Sequence, residues 1–317
     1  MNDRRKALAA IVVCVLFWGF SFISIKVALR VFPPMTLGAF RFAIAVFFLF
    51  IIKKIVIPDE KLGRRDLPGL IAAGITGITL YFFFENTGVS LVTASEASII
   101  VGAIPVLTMA AEWLGGRIAF VRARRGKNPD SAADPRPRIS AVRWAGAGVS
   151  VAGVWLVAGV SFSVSGSITG YLYMLGAALS WVAYCFLTRP LFARHSRIFI
   201  VFWQSVFGLL GFLPFAALEF PRWGSPDAGT ILHVVFLGIC CSALGYLLYA
   251  QSLAVLGAVV STVFVNLIPV VTGIAGFFIL GDRLTPLQWA GAALVIGGVT
   301  LAMLEIPTSR GKGKIRT

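Results

Sequence analysis

Ten apolar runs of about 20 residues fill this chain, separated by short polar or basic segments. As an α-helix, a run of that length rises ~30 Å, the thickness of a hydrocarbon layer. Inside a bilayer no water satisfies open backbone groups, so only helices and closed barrels cross it. Barrel strands are about half as long as these runs. The pattern predicts an all-α polytopic membrane protein with ten transmembrane helices. Their expected spans are 7–31, 35–57, 67–90, 93–115, 142–160, 168–189, 198–218, 228–254, 257–280 and 286–305. Composition agrees: 58% of the residues are hydrophobic and 13% charged, leaving too little polar surface to cover a water-soluble core. The mean hydropathy is +0.89.

A net charge of +15 would point to nucleic acid in a soluble protein. Here Lys and Arg gather instead at the N-terminus (Arg4, Arg5, Lys6), after spans 2, 4 and 6, and in the C-terminal tail. Only Lys26, Arg30, Arg41, Arg222 and Arg283 lie elsewhere. That alternation predicts cytoplasmic termini in a cytoplasmic (inner) membrane, with lipid rather than nucleic acid as the surrounding partner. The segment from Arg117 to Arg138, with Pro129, Pro135 and Pro137, is expected to be a flexible cytoplasmic loop. Met1 to Leu29 resembles a signal peptide, but its apolar run is too long and ends at no small-residue cleavage site, so it is taken as the first span. Cys14, Cys185, Cys240 and Cys241 all lie inside apolar runs and are expected to be small buried hydrophobes, outside any disulfide framework.

Segments of the first half recur in the second. Residues 138–147, which include Trp144-Ala145-Gly146, match 283–292 with Trp289-Ala290-Gly291. Ile104-Pro105-Val106 matches Ile268-Pro269-Val270, and Trp18 followed by Lys26 is echoed by Trp181 followed by Arg189. The expected division is 1–160 and 161–317, five spans in each. An odd number of spans forces the second copy to insert upside down, and inverted repeats of this kind are typical of secondary transporters.

Further residues carry a family resemblance: Phe17-Trp18-Gly19-Phe20-Ser21-Phe22, Arg41-Phe42, Glu85-Asn86-Thr87-Gly88, and residues 93–98 around Glu96. With the two Ile-Pro and Trp-Ala-Gly repeats, the chain resembles the EamA type of the drug/metabolite transporter superfamily over nearly its full length. The resemblance implies ten helices in two inverted halves, a central cavity, and amino acids or related metabolites as the leading substrate class. In that family Gly-Glu-Arg-Leu usually follows the fourth and ninth spans. Here the second copy is Gly281-Asp282-Arg283-Leu284, and the first, Gly116-Arg117-Ile118, lacks the acid.

Charges inside spans are costly and therefore informative, at about 2.5–3.5 kcal/mol each on insertion scales. Lys26, Arg41, Glu85 and Glu96 share one layer ~5–9 Å below the outer boundary. They could form a neutralising network, or the long cations could snorkel outward, Arg41 most easily. On the functional alternative, Lys26 binds a substrate carboxylate and Glu85 takes up a coupling proton. Glu112 lies near the cytoplasmic end, where snorkelling or a helix-end role fits.

Pro105 and Pro269 fall midway along spans 4 and 9 and are expected to break both helices, a pointer to a transporter's binding site. Asn266 lies three residues before Pro269, where it could contact substrate or a neighbouring helix. Trp18, Tyr81, Trp181, Tyr184, Tyr246 and Tyr249 are candidates for a cavity wall, with interhelical core as the alternative. Trp144 and Trp289 fit interface anchors, and the glycine-rich stretches after them favour close helix packing.

No P-loop, His-Glu-x-x-His zinc motif or Gly-x-Ser-x-Gly elbow occurs, so no cofactor or metal is expected and enzymatic activity is not. The expected function is secondary transport, most readily export, of a small organic metabolite, coupled to a proton or ion gradient. An uncoupled facilitator is the alternative, and a homodimer is left open.

Overall fold

In the computed structural model the described residues are 3–91, 100–124, 140–157, 168–280 and 285–304. Within them the side chains of Phe22 and Lys26, among others, also fall outside the description. The described residues form helices joined by short turns, with no strand among them.

The helices are α1 (Asp3–Ala28), α2 (Pro34–Val56), α3 (Leu67–Leu91), α4 (Ile104–Arg124), α5 (Ala141–Val157), α6 (Ile168–Thr188), α7 (Arg197–Glu219), α8 (Ala228–Leu256), α9 (Ala258–Val265), α10 (Ile268–Leu280) and α11 (Pro286–Leu304). Seven helical stretches among the described residues are long and apolar enough to cross a membrane, and Ala141–Leu156 and Trp289–Ala302 are shorter apolar helices. With 23 residues, α2 rises ~35 Å, so its charged last turn at Lys53 and Lys54 clears the apolar layer. The exterior of the bundle is correspondingly greasy: Phe47, Ile55, Leu172, Leu218 and Leu232 are all more than half exposed.

One difference from the sequence-based spans concerns α4. The loop expected from Arg117 is helical as far as Arg124. Residues 117–124 contain Ala, Arg, Ile, Phe and Val, none of which stops a helix, and the first breakers are Gly126 and Pro129.

Two long helices change pitch midway. α3 passes through a π-helical segment at Ile75–Leu80, and α8 through another at Leu237–Leu244. A π turn leaves carbonyls without their usual partner four residues on, and those groups are then open to side chains from elsewhere. Pro105 and Pro269 each occupy the second position of a helix, α4 and α10, just after a turn at residue 103 and at residues 266–267. A proline is tolerated in the first turn because the N–H it lacks would be unpaired there in any case.

α5 and α11 lie against each other through glycines. A Cβ on Gly146 would sit 2.6 Å from the Ala302 nitrogen, and one on Gly298 2.5 Å from the Ser150 nitrogen. Small residues let backbones approach where lipid supplies no hydrophobic drive between helices. At the starts of these helices Trp144 and Trp289 are exposed. The four cysteines are free, and three of them are buried.

Candidate functional site

The six aromatic side chains singled out from the sequence meet at the centre of the bundle. They come from α1 (Trp18), α3 (Tyr81), α6 (Trp181, Tyr184) and α8 (Tyr246, Tyr249). Ring centroids are 5.4 Å apart for Trp18–Trp181, 5.4 Å for Trp18–Tyr249, 5.0 Å for Tyr81–Trp181, 5.0 Å for Trp181–Tyr249 and 6.0 Å for Tyr184–Tyr246. Most are edge-to-face or tilted, the arrangement that ring quadrupoles favour.

The π segments fix this cluster from both sides. The indole N–H of Trp18 donates to the Cys241 carbonyl at 3.0 Å, and the Tyr246 hydroxyl donates to the Gly77 carbonyl at 2.9 Å. Each of these acceptors lies inside a π segment. Gly77 is glycine for a packing reason, since a Cβ there would collide with the Tyr184 ring. The Trp181 N–H donates to the Tyr249 hydroxyl at 3.1 Å, which also contacts the Cys185 sulfur at 3.2 Å. The Tyr184 hydroxyl is buried without a hydrogen-bond partner among the described residues.

Two buried charges border the cluster. Glu85 is 7% exposed, and one of its oxygens accepts a hydrogen bond from the Tyr81 hydroxyl at 2.7 Å. Their spacing of four residues places them one turn apart on α3. Arg41 is 3% exposed, so it turns into the bundle rather than snorkelling outward. Its Nε donates to the Ser242 hydroxyl at 2.9 Å, and its guanidinium lies 4.4 Å from the centroid of the Phe82 ring. Phe82 precedes Glu85 by three residues, so stacking on that ring brings Arg41 to the face of α3 that carries the acid. No ion pair joins Arg41 to Glu85 among the described residues.

Other sequence candidates lie elsewhere. Asn266 sits in the turn between α9 and α10, where its Nδ2 donates to the Ser150 hydroxyl at 2.8 Å and its Oδ1 has no partner among the described residues. Glu112 pairs with Arg189 at 3.1 Å on the partly exposed faces of α4 and the segment after α6. The side chain of Lys26, together with Glu96 and Asp282, lies outside the described residues.

At the end of the bundle carrying the basic loops, the segments before α3 and α7 are clasped together. Asp66 pairs with Arg194 at 3.0 Å, and His195 lies 3.0 Å from Glu60 through Nδ1 and 3.1 Å from Asp66 through Nε2. Burial works to raise the Glu60 carboxyl, but hydrogen bonds from the Ser196 hydroxyl and N–H and from His195 outweigh it and hold the group below its ordinary value. At the opposite end Glu219 accepts from the Thr36 N–H at 2.7 Å and from its hydroxyl at 2.9 Å, capping the start of α2 from the end of α7.

Sequence reasoning did not find Ser242 or the carbonyls of Gly77 and Cys241. A serine in an apolar run is unremarkable, and no sequence pattern marks a π turn. Tyr246 and Tyr249 were visible only as polar aromatics in an apolar span.

Comparison with known proteins places this architecture. The chain is 27% identical to an uncharacterized transporter of Archaeoglobus fulgidus, over 91% of this chain and 95% of that protein. It is also 27% identical to a probable terminal-alkyne amino-acid exporter of Streptantibioticus cattleyicolor, over 93% of each. A probable amino-acid metabolite efflux pump of Escherichia coli is 25% identical over 94% of each chain. A crystal structure at 20% identity superposes with a TM-score of 0.71, covering 95% of this chain and 97% of the other, and establishes likeness of fold. The model of the EamA-like transporter family matches residues 5–120 and again 168–304, so the chain belongs to that family and is a multi-pass membrane protein of the transporter type.

Proposed function

We propose that this protein is a secondary transporter that exports a small organic metabolite, an amino acid or a related compound, across the cytoplasmic membrane by alternating access. In this reading ten spans form two inverted halves, 1–160 and 161–317, with both termini in the cytoplasm. The observation that carries it is the contact of Trp18 with Trp181 at 5.4 Å. These tryptophans occupy matching places in the two copies of the sequence repeat and bring them together at the centre. An interface between repeats near mid-membrane is where transporters of inverted-repeat design hold their substrates. The matching π segments of α3 and α8 support the same axis. Two relatives, a probable terminal-alkyne amino-acid exporter and a probable amino-acid metabolite efflux pump, support the substrate class and the direction.

Glu85 is the group proposed to take up a coupling proton. It is a buried carboxyl group whose one hydrogen-bond partner among the described residues is a neutral phenol, so it can exist charged or neutral without breaking an ion pair among them.

The test is transport by proteoliposomes holding the purified full-length protein, with the solute chosen by profiling metabolites inside and outside expressing cells. Efflux should rise at least tenfold under an inward proton gradient, and Glu85→Gln should abolish that increase. Gradient-independent movement down the solute's own gradient would identify an uncoupled facilitator instead. No solute movement under any gradient would overturn the transport reading itself.

A further inference from the structure

Arg41 and Glu85 are an unusual pair of buried charges. In a low-dielectric interior opposite charges gain most by direct contact, and a cation left alone there is expensive. Yet these two are held apart, each by one neutral side chain at one atom. Ser242 takes the Arg41 Nε, and Tyr81 takes one Glu85 oxygen. Among the described residues no hydrogen bond or ion pair reaches the terminal guanidinium nitrogens of Arg41 or the second carboxylate oxygen of Glu85.

The guanidinium is also fixed in direction. Phe82 supports one face at 4.4 Å, and Ser242, on the π segment of α8, holds the Nε corner. The neighbouring residue of that segment, Cys241, holds the indole of Trp18 through its carbonyl. One π segment therefore sets both Arg41 and the edge of the aromatic cluster. With Nε occupied, the two terminal nitrogens remain as a planar fork, the geometry that recognises a carboxylate bidentately.

From this arrangement we infer that Arg41 and Glu85 form a split receptor for a zwitterion: a carboxylate docks on the terminal nitrogens of Arg41, an ammonium group docks on the free oxygen of Glu85, and the remainder of the molecule rests on the aromatic cluster around Trp18 and Tyr246. This rests on the transport reading and names the substrate class of that same site, a compound with both charges on neighbouring carbons and an apolar or aromatic body. Bound substrate supplies each protein charge with the partner it lacks, and neither protein charge neutralises the other in advance.

The test uses radiolabelled L-phenylalanine on the purified full-length protein, competed by unlabelled L-phenylalanine, by L-phenylalaninamide (ammonium without carboxylate) and by 3-phenylpropionate (carboxylate without ammonium). Wild type should bind phenylalanine at least tenfold more tightly than either analogue. In Arg41→Gln, phenylalanine should fall to the affinity of the amide, whose own binding stays within twofold of wild type; Arg41→Lys should restore part of the difference. In Glu85→Gln, discrimination against 3-phenylpropionate should vanish while discrimination against the amide persists. These ratios do not move if the residues only support the fold, and monodisperse elution confirms folding of each variant. Equal wild-type binding of all three compounds, or unchanged ratios in the variants, would overturn the inference. So would a wild type that binds none of them yet moves another solute across vesicles, which leaves the transport reading intact. A protein that moves no solute at all would remove both.

Discussion

Opposite charges behave differently at the basic-loop end of this molecule and at its centre. At the basic-loop end, where water is near, Asp66 and Glu60 contact Arg194 and His195 at 3.0–3.1 Å. At the centre, where pairing would gain most, Arg41 and Glu85 stay apart, and each keeps atoms without a partner among the described residues. Electrostatics alone predicts the reverse ordering. The centre is therefore governed by something stronger than the attraction between its charges, namely close packing. Phe82, Ser242 and Tyr81 hold the two groups in fixed positions, and the helices that carry them interlock around Gly77 and the aromatic cluster.

The comparison can be broken most forcefully at Gly77. If packing rules the centre, Gly77→Val forces the Tyr184 ring out of place and should cost about 3 kcal/mol, enough to lose most folded protein. Gly297→Val, where a Cβ meets nothing within 4 Å, should change stability by less than about 0.5 kcal/mol. Equal thermal stability of these two variants in detergent would show that the centre is loose.

A smaller effect separates the charges themselves. Tyr81→Phe removes the one hydrogen bond that Glu85 accepts among the described residues and leaves its carboxylate buried without it, which should cost about 1–3 kcal/mol. A melting temperature unchanged from wild type would mean that Glu85 is reached by water and is not held as described.

The smallest effect belongs to the basic-loop end. A carboxyl held below its unfolded value adds stability that is full above that value, ~4.3 for Glu, and is lost as pH falls through the folded one. Through Glu60, wild type should keep this contribution from pH 7 down to about pH 5 and lose it as the pH falls further. Glu60→Gln should remove that part of the decline. Melting curves measured at intervals across this range check it, and identical acid profiles for the two proteins would show that the Ser196 and His195 contacts do not favour the charged form.

Much of this was legible in the sequence because the bilayer imposes simple rules. Helix positions followed from apolar length, and α2, α3, α6 and α7 agree with the sequence-based spans within two residues at each end. The aromatic candidates were legible for a related reason: polar-tipped rings are uncommon in apolar spans and need partners there. Arg41 was misjudged as the easiest residue to snorkel because its depth was known and its direction was not. A helix sequence gives a residue's height in the membrane, whereas the packing of α2 against α7 and α8 decides which way the side chain can turn. α4 runs further than its charges suggest because its basic residues are good helix formers.

By itself, the sequence determined that the chain is embedded, that its apolar runs are helices, that two segments repeat, and that a few charges and aromatics lie where charges are expensive. Each is a property of one stretch of chain against a uniform solvent. Only the tertiary structure decided that Trp18 and Tyr246 are anchored on the opposite π segments, that Arg41 faces Ser242, and that Arg41 and Glu85 do not pair with each other. Those facts join residues between about 160 and 230 positions apart, or depend on which neutral groups the helices bring beside each charge. No local pattern records such relations, since they exist only once the helices have closed around a common centre.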